Sequence, residues 1–226
     1  MAVPTATVGE LDDEYIFKME DVLKIYEKPL SESEPVICVD EKPVVLHKDT
    51  KPPIPMQPGQ VARRDYEYER CGTANIFCGI EPKVGIHFTK VTPTRASAEF
   101  ADFLLEIAAH YPGVDTIHLV MDNLSTHSRK ALVDRFGEVA GGWLWGRFTV
   151  HYTPKHGSWL NQAEIEIGIF SRQCLGKRRI ADISTLRCQA DAWNRRANRE
   201  KIKVQWKFTR KLARLRLNYS FTRSRY

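Results

Sequence analysis

Asp40, Asp122 and Glu164 are the residues of this 226-residue chain whose types and settings suit chemistry done together. Asp40 ends the apolar run Pro35-Val36-Ile37-Cys38-Val39, and Asp122 ends a second, Ile117-His118-Leu119-Val120-Met121. Glu164 lies in Trp159-Leu160-Asn161-Gln162-Ala163-Glu164, which has the pattern of the first turns of a helix. An acid at the end of a buried strand is costly unless something cationic meets it. Three acids so placed suggest one shared divalent-metal site. Hard carboxylate oxygens suit Mg²⁺ or Mn²⁺, which keep several waters and also bind phosphate oxygens. Two such ions about 3.5–4 Å apart can activate an attacking oxygen and stabilise the leaving one. The chemistry implied is metal-dependent nuclease action or phosphoryl transfer.

The neighbouring acids need separating. Glu41 follows Asp40, so in a strand the two side chains point to opposite faces and only one enters a given site. On the helix, Leu160, Ala163, Ile167, Phe170 and Cys174 mark the core face. Glu164 lies at the edge of that stripe and Glu166 somewhat further round, a mild preference for Glu164. For any single acid the plainer reading is the better one; Asp122-Asn123, for instance, is a turn-forming pair that can cap the next helix. The conjunction of three matching contexts reverses that balance.

Other residues carry weaker signals. His127, five residues after Asp122, is placed to contact substrate or to orient a carboxylate, with capping or packing as the alternative. Lys155 and His156 lie in the loop before the third acid, where Lys155 can meet phosphate. Trp159 and Asn161 fit a role in packing and ordering the helix start. No phosphate-binding loop of the G-x-x-x-x-G-K-[ST] or G-x-G-x-x-G type occurs. Ser158 lacks the G-x-S-x-G context of a serine hydrolase.

The elements that must position these residues form an α/β pattern. Spacings of three and four among Ile16, Met19, Leu23 and Tyr26 predict a helix over 12–26, which looks like a linker. A short central strand is expected over 36–40. Residues 42–72, rich in Pro, Lys and Arg, read as a long ordered loop containing Arg63 and Arg64. A hairpin over 75–80 and 84–91 follows, then a helix over 94–110 and a strand over 116–121. Ser125 or Thr126 is the expected cap of a helix running to 136. A strand over 148–152, a helix over 160–175 and a last helix over 184–199 complete the order. The expected division is a linker helix over 1–34, a catalytic domain over 35–180 and a basic helical extension over 181–226.

Composition narrows the class. Apolar content of 42% and charged content of 27% are those of a soluble globular protein. No apolar stretch approaches the roughly 20 residues of a membrane span, so no membrane partner is expected. Five cysteines without a C-x-x-C pair argue against a zinc or disulfide framework and fit a reducing cytoplasm. Residues 195–226 carry twelve Lys/Arg and one acid, a net +11 that leaves −5 for the rest of the chain. Such a segment favours a polyanionic partner, most simply nucleic acid.

At these residues the sequence resembles the catalytic domain of bacterial insertion-sequence transposases of the mariner-related superfamily, the DDE endonuclease type. Four segments carry the likeness. They are Val36-Ile37-Cys38-Val39-Asp40-Glu41-Lys42-Pro43; Asp65-Tyr66-Glu67-Tyr68 with Gly72-Thr73-Ala74-Asn75; Met121-Asp122-Asn123-Leu124-Ser125-Thr126-His127; and Thr153-Pro154-Lys155-His156-Gly157-Ser158-Trp159-Leu160-Asn161-Gln162-Ala163-Glu164. The last is the most specific. The resemblance implies a ribonuclease H-like mixed sheet with helices on both faces. It implies Asp40, Asp122 and Glu164 as the triad holding two divalent ions, and so selects Glu164 over Glu166 and Asp40 over Glu41. Glu41, Asn123, His127, Lys155, His156, Asn161, Arg63 and Arg64 become candidates to support the triad or touch DNA.

The implied activity is DNA strand cleavage and strand transfer during transposition. The implied partners are transposon-end and target DNA and further copies of the chain, a homodimer or higher oligomer, working on a bacterial nucleoid. Members of this family usually carry an N-terminal helix-turn-helix region. Here the acidic linker helix begins almost at Met1, so half of a split reading frame, a truncated remnant or a protein using a separate DNA-reading polypeptide is the expectation. The stretch 216–221 also departs from the family's usual basic ending. The alternatives are a ribonuclease H-type nuclease without strand transfer, and a catalytically idle DNA-binding remnant.

Overall fold

The computed structural model describes residues 11–220. Its centre is a five-stranded mixed sheet of order β3-β2-β1-β4-β5, made of β1 Val36–Asp49, β2 Tyr68–Glu81, β3 Ile86–Thr92, β4 Ile117–Met121 and β5 Phe148–Tyr152. β1, β2 and β3 run antiparallel as a meander, while β4 and β5 lie parallel to β1. Parallel neighbours need a crossover. Here α2 (Ser97–His110) supplies the first, and α3 (Arg129–Phe136) with α4 (Glu138–Gly146) the second.

Alternation along the strands decides which helix covers which face. Ile37, Val39, Phe77, Leu119 and Met121 pack with Phe100, Phe103, Leu104 and Ile107 of α2 and with Leu132 and Leu144 of α3 and α4. The opposite face carries Cys38, Ile76, Cys78, Ile80 and Val120. It is covered by α1 (Asp13–Glu27), α5 (Ala163–Phe170), α6 (Ile183–Glu200) and α7 (Arg210–Leu217). Met19, Val22 and Leu23 of α1 are fully buried there, so the expected linker helix packs directly on the sheet. Asp12 caps α1 by accepting from the Tyr15 amide at 2.7 Å.

Four expectations need correction. The first strand does not end at Asp40 but runs to Asp49, because past Cys38 it leaves β4 and continues on β2 alone. That one-sided pairing gives residues 41–49 an alternating rather than wholly apolar pattern. The long loop is accordingly shorter, 50–67, and is itself folded back through bridges at Ile54↔Arg63 and Gln57↔Gln60. Ser128, rather than Ser125 or Thr126, stands before α3, without a side-chain cap. The helix expected over 160–175 is divided into a 3₁₀ turn at Ser158–Leu160, α5, and a π turn at Ser171–Leu175.

One helix, α4, was not expected at all, and the expected basic helical extension contains α7. Gly141 of α4 lets α3 cross closely, since a Cβ there would meet the Leu132 carbonyl oxygen at 2.4 Å. α7 forms from the basic segment, capped by Thr209. Of the C-terminal stretch 216–221, Phe221 lies outside the described residues. Among the described residues no helix is long and apolar enough to cross a membrane.

Candidate active site

The sheet brings the three acids to one end. Asp40 stands two residues beyond Cys38↔Val120, the last parallel pair of β1 and β4, and Asp122 directly follows β4. Glu164 is the second residue of α5 and is exposed. Burial pushes the Asp40 carboxyl up to about 7. The Glu41 amide, hydrogen-bonded to it at 2.8 Å, pulls it back, while the charges of Glu164, Glu41 and Asp122 push it further up. Asp40, Asp122 and Glu164 therefore act within one field.

Asp122 is held below the usual carboxylate range, chiefly by its contact with His127 and against the effect of burial. The His127 Nδ1 lies 2.7 Å from Asp122 Oδ1, and its Nε2 lies 3.2 Å from Glu41 Oε2. Burial alone would lower the His127 pKa, but its two carboxylate neighbours outweigh that and raise it to about 9. Glu41 thus reaches the site after all, from the opposite face of β1, as strand alternation requires. It works through His127.

Asn123 and Asn161 serve as ties. Asn123 donates to the Thr153 carbonyl at 2.7 Å, joining the end of β4 to the chain leaving β5. Asn161 donates to the Val39 carbonyl at 2.8 Å and accepts from the Ala163 amide at 3.1 Å. Lys155 and His156 are exposed in the intervening turn, where His156 has a φ of 63°. Arg63 and Arg64 are not brought to the acids. Arg64 contacts the Asp49 carboxylate and the Lys177 carbonyl. Asp49 lies nine residues along β1 from Asp40, about 30 Å of strand.

Sequence reasoning missed Arg95. Its guanidinium lies 3.8 Å from Glu41, its side chain is 60% exposed, and its charge helps hold Asp122 ionised. Nothing in its local sequence marks it; only the path of the chain from the end of β3 into α2 brings it here. The basic C-terminal segment is likewise more committed than its charge suggested. Arg210 binds Glu27, and Arg214 binds Glu20 with both guanidinium arms at 2.7 Å.

The donor types suit a hard divalent ion, since the charges of Glu164 and Asp122 both act on the part-buried Asp40 and ionising Asp40 is unfavourable without a cation. Among the described residues, no three His, Cys, Asp or Glu side chains are gathered closely enough to hold an ion as they stand. Asp122 Oδ1 is turned to His127, and Glu164 stands exposed on its helix.

Residues 35–187 match a family model described as DDE superfamily endonuclease. A comparison with curated proteins found no match. Among solved structures, the chain is similar to the Mos1 mariner paired end complex with Mn, with a TM-score of 0.54, 14% identity, and coverage of 89% of this chain and 62% of that one. It is similar also to the Mos1 transposase paired-end complex with left transposon end (TM-score 0.55, 15% identity, 89% and 63% covered). A third is the Mos1 Strand Transfer Complex (TM-score 0.55, 14% identity, 89% and 61% covered). The likeness is one of fold, a ribonuclease H-like mixed sheet flanked by helices. The chain spans a little over three-fifths of the length of these solved chains.

Proposed function

The chain belongs to the DDE superfamily of endonucleases, and on that footing we propose that it is the catalytic part of a transposase. It would cut DNA strands and join a freed 3′-hydroxyl to target DNA. The observation that carries this reading is that the charges of Glu164 and Asp122 both act on Asp40, whose carboxyl burial already pushes up. These three would hold two divalent ions, Mg²⁺ or Mn²⁺. Bound there, the ions supply activation of the attacking oxygen and neutralisation of charge on the leaving one.

The chain's own residues do the rest by positioning, as phosphoryl transfer requires. The Asn161 bond to Val39 holds the start of the Glu164 helix against the strand of Asp40. His127 fixes Asp122. Arg95 would take a backbone phosphate beside the acids, with Lys155 and His156 from the neighbouring turn. By analogy with the paired-end and strand-transfer complexes of its structural neighbours, its partners would be transposon-end DNA, target DNA and a second copy of the chain. A bacterial insertion-sequence origin and action on the nucleoid complete the reading.

The test offers the purified chain a supercoiled plasmid and a labelled duplex with a free 3′-hydroxyl, with Mg²⁺ or Mn²⁺, beside Asp122→Ala. The expected result is metal-dependent nicking and transfer of label to the plasmid, both lost in Asp122→Ala. Nicking unchanged by that substitution would overturn the site, and nicking without label transfer would overturn strand transfer.

A further inference from the structure

An ion-pair contact and a backbone amide meet at the same oxygen of Asp122. The His127 Nδ1 lies 2.7 Å from Oδ1, and the Leu124 amide donates to that oxygen at 3.1 Å. The ring that does this has little freedom. Its far nitrogen, Nε2, meets Glu41 Oε2 at 3.2 Å, and its face stacks on Phe100 with centroids 4.4 Å apart and planes 30° apart. Its backbone is tied as well: the His127 amide donates to the Leu124 carbonyl at 2.8 Å, and the Tyr152 hydroxyl donates to the His127 carbonyl at 2.9 Å. The His127 side chain is 1% exposed and Glu41 6%, whereas Asp122 is 42% exposed.

We propose that His127, held by Glu41, is a positioning residue that commits Asp122 Oδ1 to the protein and leaves Oδ2 for the ion. The inference rests on the reading of Asp122 as a metal ligand, and assigns how that ligand is aimed. A carboxylate with both oxygens unengaged rotates among several orientations and must be ordered when an ion arrives. Here the ordering is built in beforehand. β1 supplies both ends of the device, since Asp40 and Glu41 are adjacent and point to opposite faces. Asp40 approaches the site directly, and Glu41 approaches it through the imidazole. Groups that orient metal ligands in this way typically contribute about 10–100-fold in metal affinity.

The experiment measures Mn²⁺ binding to the full chain by the electron paramagnetic resonance signal of free Mn²⁺, without DNA. It compares the native chain with Asp122→Ala, His127→Leu, His127→Asn and Glu41→Gln, each checked for a cooperative thermal melt. His127→Leu fills the same space without a donor and should weaken Mn²⁺ binding about 10–100-fold. His127→Asn retains an N–H near the position of Nδ1 and should recover most of that loss. Glu41→Gln preserves shape but removes the charge behind the ring, and should weaken binding several-fold. Native affinity in His127→Leu, or no recovery in His127→Asn, would overturn the proposal and leave His127 a packing residue. Should His127→Leu fail to fold, Glu41→Gln decides, and native affinity there overturns it. Native affinity in Asp122→Ala would overturn the reading of the site itself, a result separate from either outcome at His127.

Discussion

Asn161 donates from Nδ2 to the carbonyl of Val39 at 2.8 Å, and Val39 is the residue before Asp40. The same side chain accepts from the Ala163 amide through Oδ1, and Ala163 is the residue before Glu164. One buried amide therefore spans the gap between two of the three acids.

Asn161→Ala is expected to remove both bonds and leave the Val39 carbonyl without this donor. A buried polar group so exposed to loss costs about 1–3 kcal/mol. Urea unfolding should show a lower midpoint with an unchanged slope. Mn²⁺ affinity should fall too, because the Glu164 helix start is no longer registered against β1. Native metal affinity in a destabilised variant would assign Asn161 to folding alone.

The Asp40 carboxyl gives the metal-free protein a pH dependence whose sign follows from its shift. Its folded pKa, about 7, lies above the ordinary aspartate value of 3.8. The protonated form is thus favoured by folding, and the stability it contributes is fully present below pH 4 and lost as pH rises through 7. At about 1.4 kcal/mol per unit, the ceiling is about 4 kcal/mol. His118 works in the opposite direction, since burial first, then Lys28 and His151, lower its pKa. Its contribution is lost as pH falls below the ordinary histidine value. The informative measurement is therefore the difference in melting temperature between the native chain and Asp40→Asn. Asp40→Asn should be the more stable at pH 8 by several degrees, with the gap closing towards pH 4. Mg²⁺ should raise the native melting temperature more at pH 8 than at pH 5.

How much of this was legible before the structure follows from what each residue depends on. Asp122 was legible because β4 is wholly buried and ends beside it. Asp40 was found for a partly mistaken reason: its apolar run ends there because β4 does, while β1 itself continues on β2. Local pattern cannot report which neighbour a strand keeps. The Glu41–His127–Asp122 arrangement joins β1 to the loop after β4, and Arg95 arrives from the end of β3. Neither leaves a local spacing to read. Charge counting cannot show pairing for a related reason, since the acids that meet Arg210 and Arg214 lie on α1, near the other end of the chain.

That pairing separates two arginines that sequence alone would treat alike. Arg95→Ala should weaken DNA binding similarly across sequences and reduce the salt dependence of the binding constant by about one phosphate contact. Its effect on the melting temperature should be small, because the side chain is largely exposed. Arg214→Ala should do the reverse. Glu20 is 4% exposed and relies on Arg214 and the Tyr219 hydroxyl. Losing the guanidinium should cost about 1–3 kcal/mol of stability. A salt titration of DNA binding beside a thermal melt distinguishes them, and an unaltered salt slope in Arg95→Ala would remove Arg95 from the DNA contacts.

Glu164 and Glu166, two residues apart on α5, provide the sharpest contrast. Helix geometry placed Glu164 nearer the core stripe, yet Glu166 is the buried one and Glu164 the exposed one. The reason is a partner from β3: His87 Nδ1 lies 2.7 Å from Glu166 Oε1, with both side chains fully buried. The other ring nitrogen donates to the Ile202 carbonyl at 2.9 Å, and the His87 backbone exchanges two hydrogen bonds with Asn198 of α6. Breaking such a buried pair from one side costs about 3–5 kcal/mol, whereas replacing both members with apolar residues is often nearly neutral. Glu166→Ala should therefore fall in that range, and His87→Leu with Glu166→Met should lose much less than the two single substitutions summed. Glu164→Gln should change stability by less than about 0.5 kcal/mol, as exposed substitutions do, while removing Mn²⁺ binding and DNA cleavage. Urea unfolding of these variants, set beside Mn²⁺ titration, tests the division directly. Cleavage retained in Glu164→Gln and lost in a stably folded Glu166→Gln would exchange the roles of the two acids.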